Sequence, residues 1–125
     1  MATILVIDDE PSLRDVARLA LEGAGHTVTE APDGRAAMAA LDRMLPDLII
    51  TDILMPEQEG LQTIREIRKR WKSVPVLAMS GGGRTARLDF LQIAKGLGAN
   101  ATLTKPFRVR DLLAAVDQLL RPGGA

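Results

Sequence analysis

The chain has 125 residues and a mass of 13.5 kDa, enough for one ordinary folding unit with a sizeable core. Hydrophobic residues make up 46% and charged residues 26%, and 16 basic side chains balance 16 acidic ones; a formal net charge of zero argues against an electrostatic grip on nucleic acid or anionic lipid. The absence of cysteine excludes disulfides, zinc–thiolate sites and thiol nucleophiles.

Five short apolar runs alternate with five helical patterns. Thr3–Asp8 (TILVID) predicts a first strand. Over Pro11–Ala24, Leu13, Val16, Ala17, Ala20 and Leu21 recur at helical spacing, with Pro11 suited to a first turn and Gly23 or Gly25 to a stop. Thr27–Ala31 (TVTEA) predicts a second strand, and Asp33 an N-cap for a helix over Arg35–Met44, ended by Pro46. Asp47–Asp52 predicts the third strand, and Leu61, Ile64, Ile67 and Trp71 a helix over Leu61–Lys72. Val74–Ser80 (VPVLAMS) predicts the fourth strand. Phe90, Ile93, Ala94 and Leu97 mark a helix closed by Gly98. Ala101–Lys105 (ATLTK) predicts the fifth strand, and Leu112, Leu113, Val116, Leu119 and Leu120 the last helix, stopped by Pro122.

Strict β-α alternation implies an α/β fold with a parallel sheet and helices on both faces. Doubly buried strands read as continuous apolar runs, as ILVI, LII and VLAM do, whereas TVTEA and ATLT alternate. The first, third and fourth strands are therefore expected at the centre. With right-handed crossovers the expected order is 2-1-3-4-5, the flavodoxin-like doubly wound arrangement. The opening MATILVIDDE has no basic n-region, and no window approaches the roughly 20 apolar residues of a membrane span, so a cytoplasmic chain without membrane contact is expected.

In such a sheet ligands bind outside the carboxyl ends of the strands, where the winding reverses. The first strand ends in Asp8 and Asp9, the third in Asp52, the fourth in Ser80 and the fifth in Lys105. Three carboxylates with one ammonium leave a charge of about −2 in a small cleft, which invites a hard divalent cation, above all Mg²⁺. A cation beside Asp52 would screen it from an incoming phosphoryl group and let it act as a nucleophile, forming an aspartyl-phosphate. Lys105 could then pair with one phosphoryl oxygen and Ser80 donate to another.

IDDE near the start, DLIITDILMP followed by Gly60, Ser80 after an apolar strand, and LTKPF near the end form an ordered set. This set resembles the receiver domain of two-component response regulators over Thr3 to Leu120, in the manner of the stand-alone chemotaxis regulators. The resemblance implies one receiver domain over residues 1–125, with a core at 3–120 and a tail at 121–125. It implies a phosphorylation-operated switch rather than an enzyme, with Asp52 as phosphoacceptor for a sensor histidine kinase or histidine phosphotransfer protein and a further protein partner downstream. It implies Mg²⁺ on Asp9 and Asp52, with Asp8 helping through water and the Leu54 backbone carbonyl as a further ligand. Ser80 and Lys105 match the family's phosphate-contacting hydroxyl and lysine, and the N–H groups of Leu54 and Gly81 would complete the cradle. Lys105–Pro106 matches a peptide bond that is usually cis in the family.

Several features depart from the family's pattern. Thr102 stands where an aromatic switch residue is common, so coupling by an aromatic flip is not expected. The loop SGGGRTAR and its helix run long, and MPEQEG lacks the common Met-Asp-Gly ending while keeping Gly60. Leu54 and Gly82 stand where the family often carries a side chain that orients a hydrolytic water, so slow self-dephosphorylation is expected.

Other features have plainer readings. Gly81–Gly83 lacks the Lys-Ser/Thr of a P-loop and reads as a flexible loop. His26 reads as a turn residue, the methionines as packing groups, and the run Arg65, Arg68, Lys69, Arg70 and Lys72 as a solvated helix face. Two other functions compete: a non-phosphorylated interaction module, which would be expected to lose an acid or the lysine, and a phosphatase with an aspartyl nucleophile. The dehalogenase type of phosphatase carries its second acid two residues after the first, unlike Asp8-Asp9. After Leu120 only RPGGA remains, which fits either a stand-alone receiver or a fragment whose linker begins at Pro122.

Overall fold

A computed structural model describes residues 2–53, 59–80 and 92–121. The elements in chain order are β1 (Thr3–Ile7), α1 (Pro11–Gly23), β2 (Thr27–Ala31), α2 (Gly34–Arg43), β3 (Leu48–Asp52), α3 (Glu59–Arg70), β4 (Val76–Ser80), α4 (helical at 92–97), β5 (Ala101–Thr104) and α5 (Val109–Leu120). All strand pairs are parallel and the sheet order is β2-β1-β3-β4-β5, as the apolar runs imply. β3 and β4 are buried along their whole length, while β2 and β5 alternate or stay partly exposed at the edges.

Strand alternation sends successive side chains to opposite faces, which makes two cores. Leu5, Ile7, Ile49, Ile53 and Ala78 pack on one face with Ala37 and Leu41 of α2, Ile64 and Ile67 of α3 and Ala94 of α4. Ile4, Val6, Ile50, Leu77 and Met79 pack on the other with Ala17 and Leu21 of α1 and Leu112, Val116 and Leu119 of α5.

Several boundaries differ from the expected ones, each for a local reason. β1 ends at Ile7: the Asp8 N–H still bonds the Ala31 carbonyl at 3.1 Å, but the Asp8 side chain turns back to accept the Glu10 N–H at 2.9 Å. Asp47 precedes β3 and closes the start of β1 instead, donating its N–H to the Thr3 carbonyl at 2.8 Å and accepting the Thr3 N–H on its carboxylate at 2.9 Å. β4 starts at Val76, after Pro75, which has no N–H for the ladder. β5 ends at Thr104, one residue before Lys105. α2 starts one residue earlier than expected, at Gly34, with Asp33 as its cap accepting the Ala36 N–H at 2.8 Å. α3 ends at Arg70 rather than Lys72, where the Arg68 guanidinium takes the carbonyls of Trp71 and Lys72 and so satisfies the helix end. Val16 and Ile93, counted with the apolar faces of α1 and α4, are 46% and 47% exposed. Phe90 lies outside the described residues; Gly98 closes α4 with φ at +120°.

Candidate functional site

The winding reverses between β1 and β3, and the sequence puts an acid at the carboxyl end of each. Asp52 is the last residue of β3, so its side chain inherits the strand's rigidity. It is 3% exposed. Asp8 follows β1 and is fully buried, while Asp9 is exposed at the mouth. Carboxylate oxygens of Asp8, Asp9 and Asp52 all lie within 4.8 Å of one another, an acidic group that could hold a metal ion. An all-oxygen donor set suits a hard divalent cation.

Lys105 enters from the end of β5. Its ammonium donates to Asp8 Oδ2 and to Asp52 Oδ2, each at 3.0 Å. The Lys105 N–H donates to the Ser80 carbonyl at 2.7 Å, which ties the lysine to the end of β4, and the Lys105–Pro106 peptide is cis. Ser80 itself is fully buried at the end of β4. Desolvation raises the Asp8 carboxyl above its ordinary range, against the Glu10 N–H and Lys105, which favour its charged form. Burial pulls Lys105 down, but the charge of Asp52 and the hydrogen bonds to both carboxylates outweigh it and leave the lysine raised. The structure thus brings together Asp8, Asp9, Asp52 and Lys105, with Ser80 on the adjoining strand. The Leu54 carbonyl and the Leu54 and Gly81 N–H groups lie outside the described residues, as do the loop SGGGRTAR, most of MPEQEG and residues 122–125.

The sequence pattern does not mark several residues that shape this end of the sheet. The Arg14 guanidinium donates to the Asp8 carbonyl at 2.6 Å and pairs with Glu30. Thr51 Oγ1 donates to the Asp52 carbonyl at 3.1 Å. Periodicity registers apolar faces and is blind to which charges turn inward.

At the opposite end the basic run of α3 is not wholly a solvated face. Arg68 is half-buried, donating to the Gly98 carbonyl at 2.9 Å and to Asn100 Oδ1 at 2.6 Å, and burial lowers its pKa. Arg70 pairs with Asp42 and covers the Trp71 ring at 4.5 Å. His26, before β2, accepts the Ala2 N–H on Nδ1 at 3.2 Å. Thr102 sits in β5 beside Ala78 of β4.

A family model for the response regulator receiver domain matches residues 4–117. A Leptolyngbya boryana protein known as the uncharacterized 14.6 kDa protein in the sodA1 3' region is 38% identical over 117 residues, 92% of this chain and 87% of its own length. The sensory transduction protein RegX3 of Mycobacterium tuberculosis is 34% identical over 124 residues, 99% of this chain and 53% of its own length; the chain spans about half the length of such regulators. Among solved structures, chemotaxis protein CheY4 of Vibrio cholerae superposes with a TM-score of 0.86 at 32% identity, covering 96% of this chain and 99% of that one. The receiver domain of NtrX from Brucella abortus gives 0.88 at 32% identity, covering 94% and 97%. No helix among the described residues is long and apolar enough to cross a membrane. With the sheet order, the acid cluster and the lysine in register, these matches place the chain in the response regulator receiver domain family of two-component systems.

Proposed function

We propose that the chain is a phosphorylation-operated switch in which Asp52 accepts a phosphoryl group from a phosphohistidine, on a sensor histidine kinase or a histidine phosphotransfer protein, with Mg²⁺ at Asp8, Asp9 and Asp52. The observation that carries this is the position of the Lys105 ammonium, 3.0 Å from both Asp8 and Asp52 within a three-carboxylate group. The donor set fits Mg²⁺, with the Leu54 backbone carbonyl as a further ligand on the family's pattern. When bound, the ion supplies the positive charge that lets an anionic phosphoryl group approach a carboxylate.

The chain's own groups do the rest. An Asp52 oxygen attacks phosphorus in line; the P–N bond breaks as the P–O bond forms, and the imidazole leaves with the electron pair and takes up a proton. Lys105 pairs with Asp52 before transfer and follows the charge to a phosphoryl oxygen after it, with the Ser80 hydroxyl donating to another. The product stays on the protein, so the chain is a stoichiometric acceptor rather than an enzyme. It acts in the cytoplasm on a downstream protein partner and takes no direct part in nucleic-acid binding. The donor's histidine reaches Asp52 past the exposed Pro11, Ser12 and Asp15 of α1 and the Pro106–Phe107 turn.

Intact mass after treatment with acetyl phosphate tests the proposal. One labile phosphoryl adduct is expected with Mg²⁺ and none in EDTA or in Asp52→Asn. An adduct of wild-type yield in either control contradicts it.

A further inference from the structure

We propose that Arg14 is a positioning residue for the metal site: its guanidinium, held by Glu30, fixes the Asp8–Asp9 peptide through the Asp8 carbonyl and so sets where the Asp9 carboxylate stands. The inference rests on the metal-dependent phosphoryl acceptance described above.

Besides the contact of its Oδ2 with Lys105, Asp8 is held at three points. Its N–H donates to the Ala31 carbonyl at 3.1 Å, its Oδ1 accepts the Glu10 N–H at 2.9 Å, and its carbonyl accepts Arg14 Nη1 at 2.6 Å. The first two contacts set the Asp8 backbone and side chain. The third acts on the next unit along the chain. Because the peptide is planar, holding the Asp8 oxygen also holds the Asp9 nitrogen and the direction in which the Asp9 Cα leaves. Asp9 is the exposed member of the acid cluster, while Asp8 and Asp52 are packed into the protein. The arginine therefore acts on the ligand that burial constrains least.

Arg14 is itself fixed from both sides. Its N–H closes the first turn of α1 on the Glu10 carbonyl at 3.1 Å, and its Nε pairs with Glu30 Oε1 at 3.1 Å, both side chains being mostly buried (16% and 20% exposed). Arg18 takes the other oxygen of Glu30. The planar guanidinium reaches a carbonyl and a carboxylate at once, which a lysine ammonium on its flexible stem does not reproduce. Pairing with Glu30 keeps the Arg14 charge beside the main chain. The carboxylates of the site are thereby left to Lys105 and to the cation.

The test is the dissociation constant for Mn²⁺ on the full chain, read from the electron paramagnetic signal of the free ion, with folding followed by a urea midpoint in EDTA. Removing a group that supports a metal ligand costs about 10- to 100-fold in affinity, so Arg14→Met is expected about 10-fold weaker. Arg14→Lys is expected to recover part of the loss, and Glu30→Gln to show a smaller one. A purely structural role would lower the urea midpoint and leave Mn²⁺ affinity in place. A loss under about threefold in Arg14→Met overturns the inference, since it falls short of the range for such supports. If Arg14→Met does not fold, the same threshold applies to Arg14→Gln, which also lacks the guanidinium. A wild type that binds no Mn²⁺ overturns the proposed function together with the inference, whereas tight wild-type binding with unaffected variants overturns the inference alone.

Discussion

Gly60 is packed against the main chain of Asp52. A Cβ at Gly60 would fall on the Asp52 carbonyl oxygen and 2.5 Å from Ile53 Cα, so the first turn of α3 reaches the end of β3 only because position 60 has no side chain. Both contacts are backbone, which cannot swing aside as a flexible side chain would. Gly60→Ala is therefore expected to push α3 and β3 apart, destabilising the fold by about 1–3 kcal/mol, the usual cost of overpacking. Acetyl-phosphate labelling of Asp52 should slow as well. A urea midpoint and labelling rate equal to wild type would show that the helix shifts freely.

The Asp8 carboxyl is raised, with burial as the first cause. A raised acid favours the folded state while protonated, and that contribution is lost as pH rises through its folded value. At neutral pH the ionised Asp8 thus costs stability. Asp8→Asn in EDTA is expected to unfold at a higher temperature than wild type at pH 7, with the gap closing as the pH falls and wild-type Asp8 takes up its proton. Mg²⁺ should stabilise the wild type and have little effect on the variant. A gap that widens on acidification would contradict the sign.

Lys105 is the counter-ion to two buried carboxylates. Lys105→Met leaves them facing each other, and breaking a buried pair costs about 3–5 kcal/mol; with Lys105 16% exposed, about 2 kcal/mol is expected. The loss should shrink on acidification, because the unpaired Asp8 then protonates, and should also shrink in Mg²⁺. Chemical denaturation at pH 7 and pH 5, with and without the ion, checks both.

Arg68 joins the end of α3 to the turn between α4 and β5. Its guanidinium bonds Gly98 and Asn100, and Asn100 Oδ1 also accepts the Val76 N–H at 2.9 Å at the start of β4. Arg68→Ala removes several charge-assisted hydrogen bonds from a half-buried site and is expected to cost about 2–3 kcal/mol. The acceptor lies at the other end of the sheet, so labelling of Asp52 at a temperature where the variant is folded should match wild type. A labelling defect without a stability defect would show that this corner reports to the acceptor.

The contrast between Arg68 and Asp52 shows what was legible in the sequence. Asp52 ends an apolar strand, and an acid at the tip of such a run stands out; Asp8, Asp9 and Lys105 do so for the same reason. The strand order followed from which runs were continuously apolar, because central strands are buried on both faces. Arg68 and Arg14 look like ordinary helix-surface charges, since their importance comes from carbonyls of distant segments that only the folded backbone brings near. Element ends were the least legible part: the missing N–H of Pro75 and the hydrogen bonds of Asp47 and Arg68 set them, and periodicity registers neither. Gly60 could be matched to a family pattern, but the contact it permits is a tertiary fact.

Transfer from a phosphohistidine-bearing kinase domain to this chain, trapped with borohydride and located by peptide mapping, tests the central claim most directly. Borohydride reduces an aspartyl-phosphate to homoserine, so the modified residue is read from the sequence of the labelled peptide. Homoserine at position 52, formed in Mg²⁺ and lost in EDTA, is the expected result. Reduction at Asp8 or Asp9, or at position 52 to the same extent in EDTA, would contradict the assignment of Asp52 as a metal-dependent phosphoacceptor.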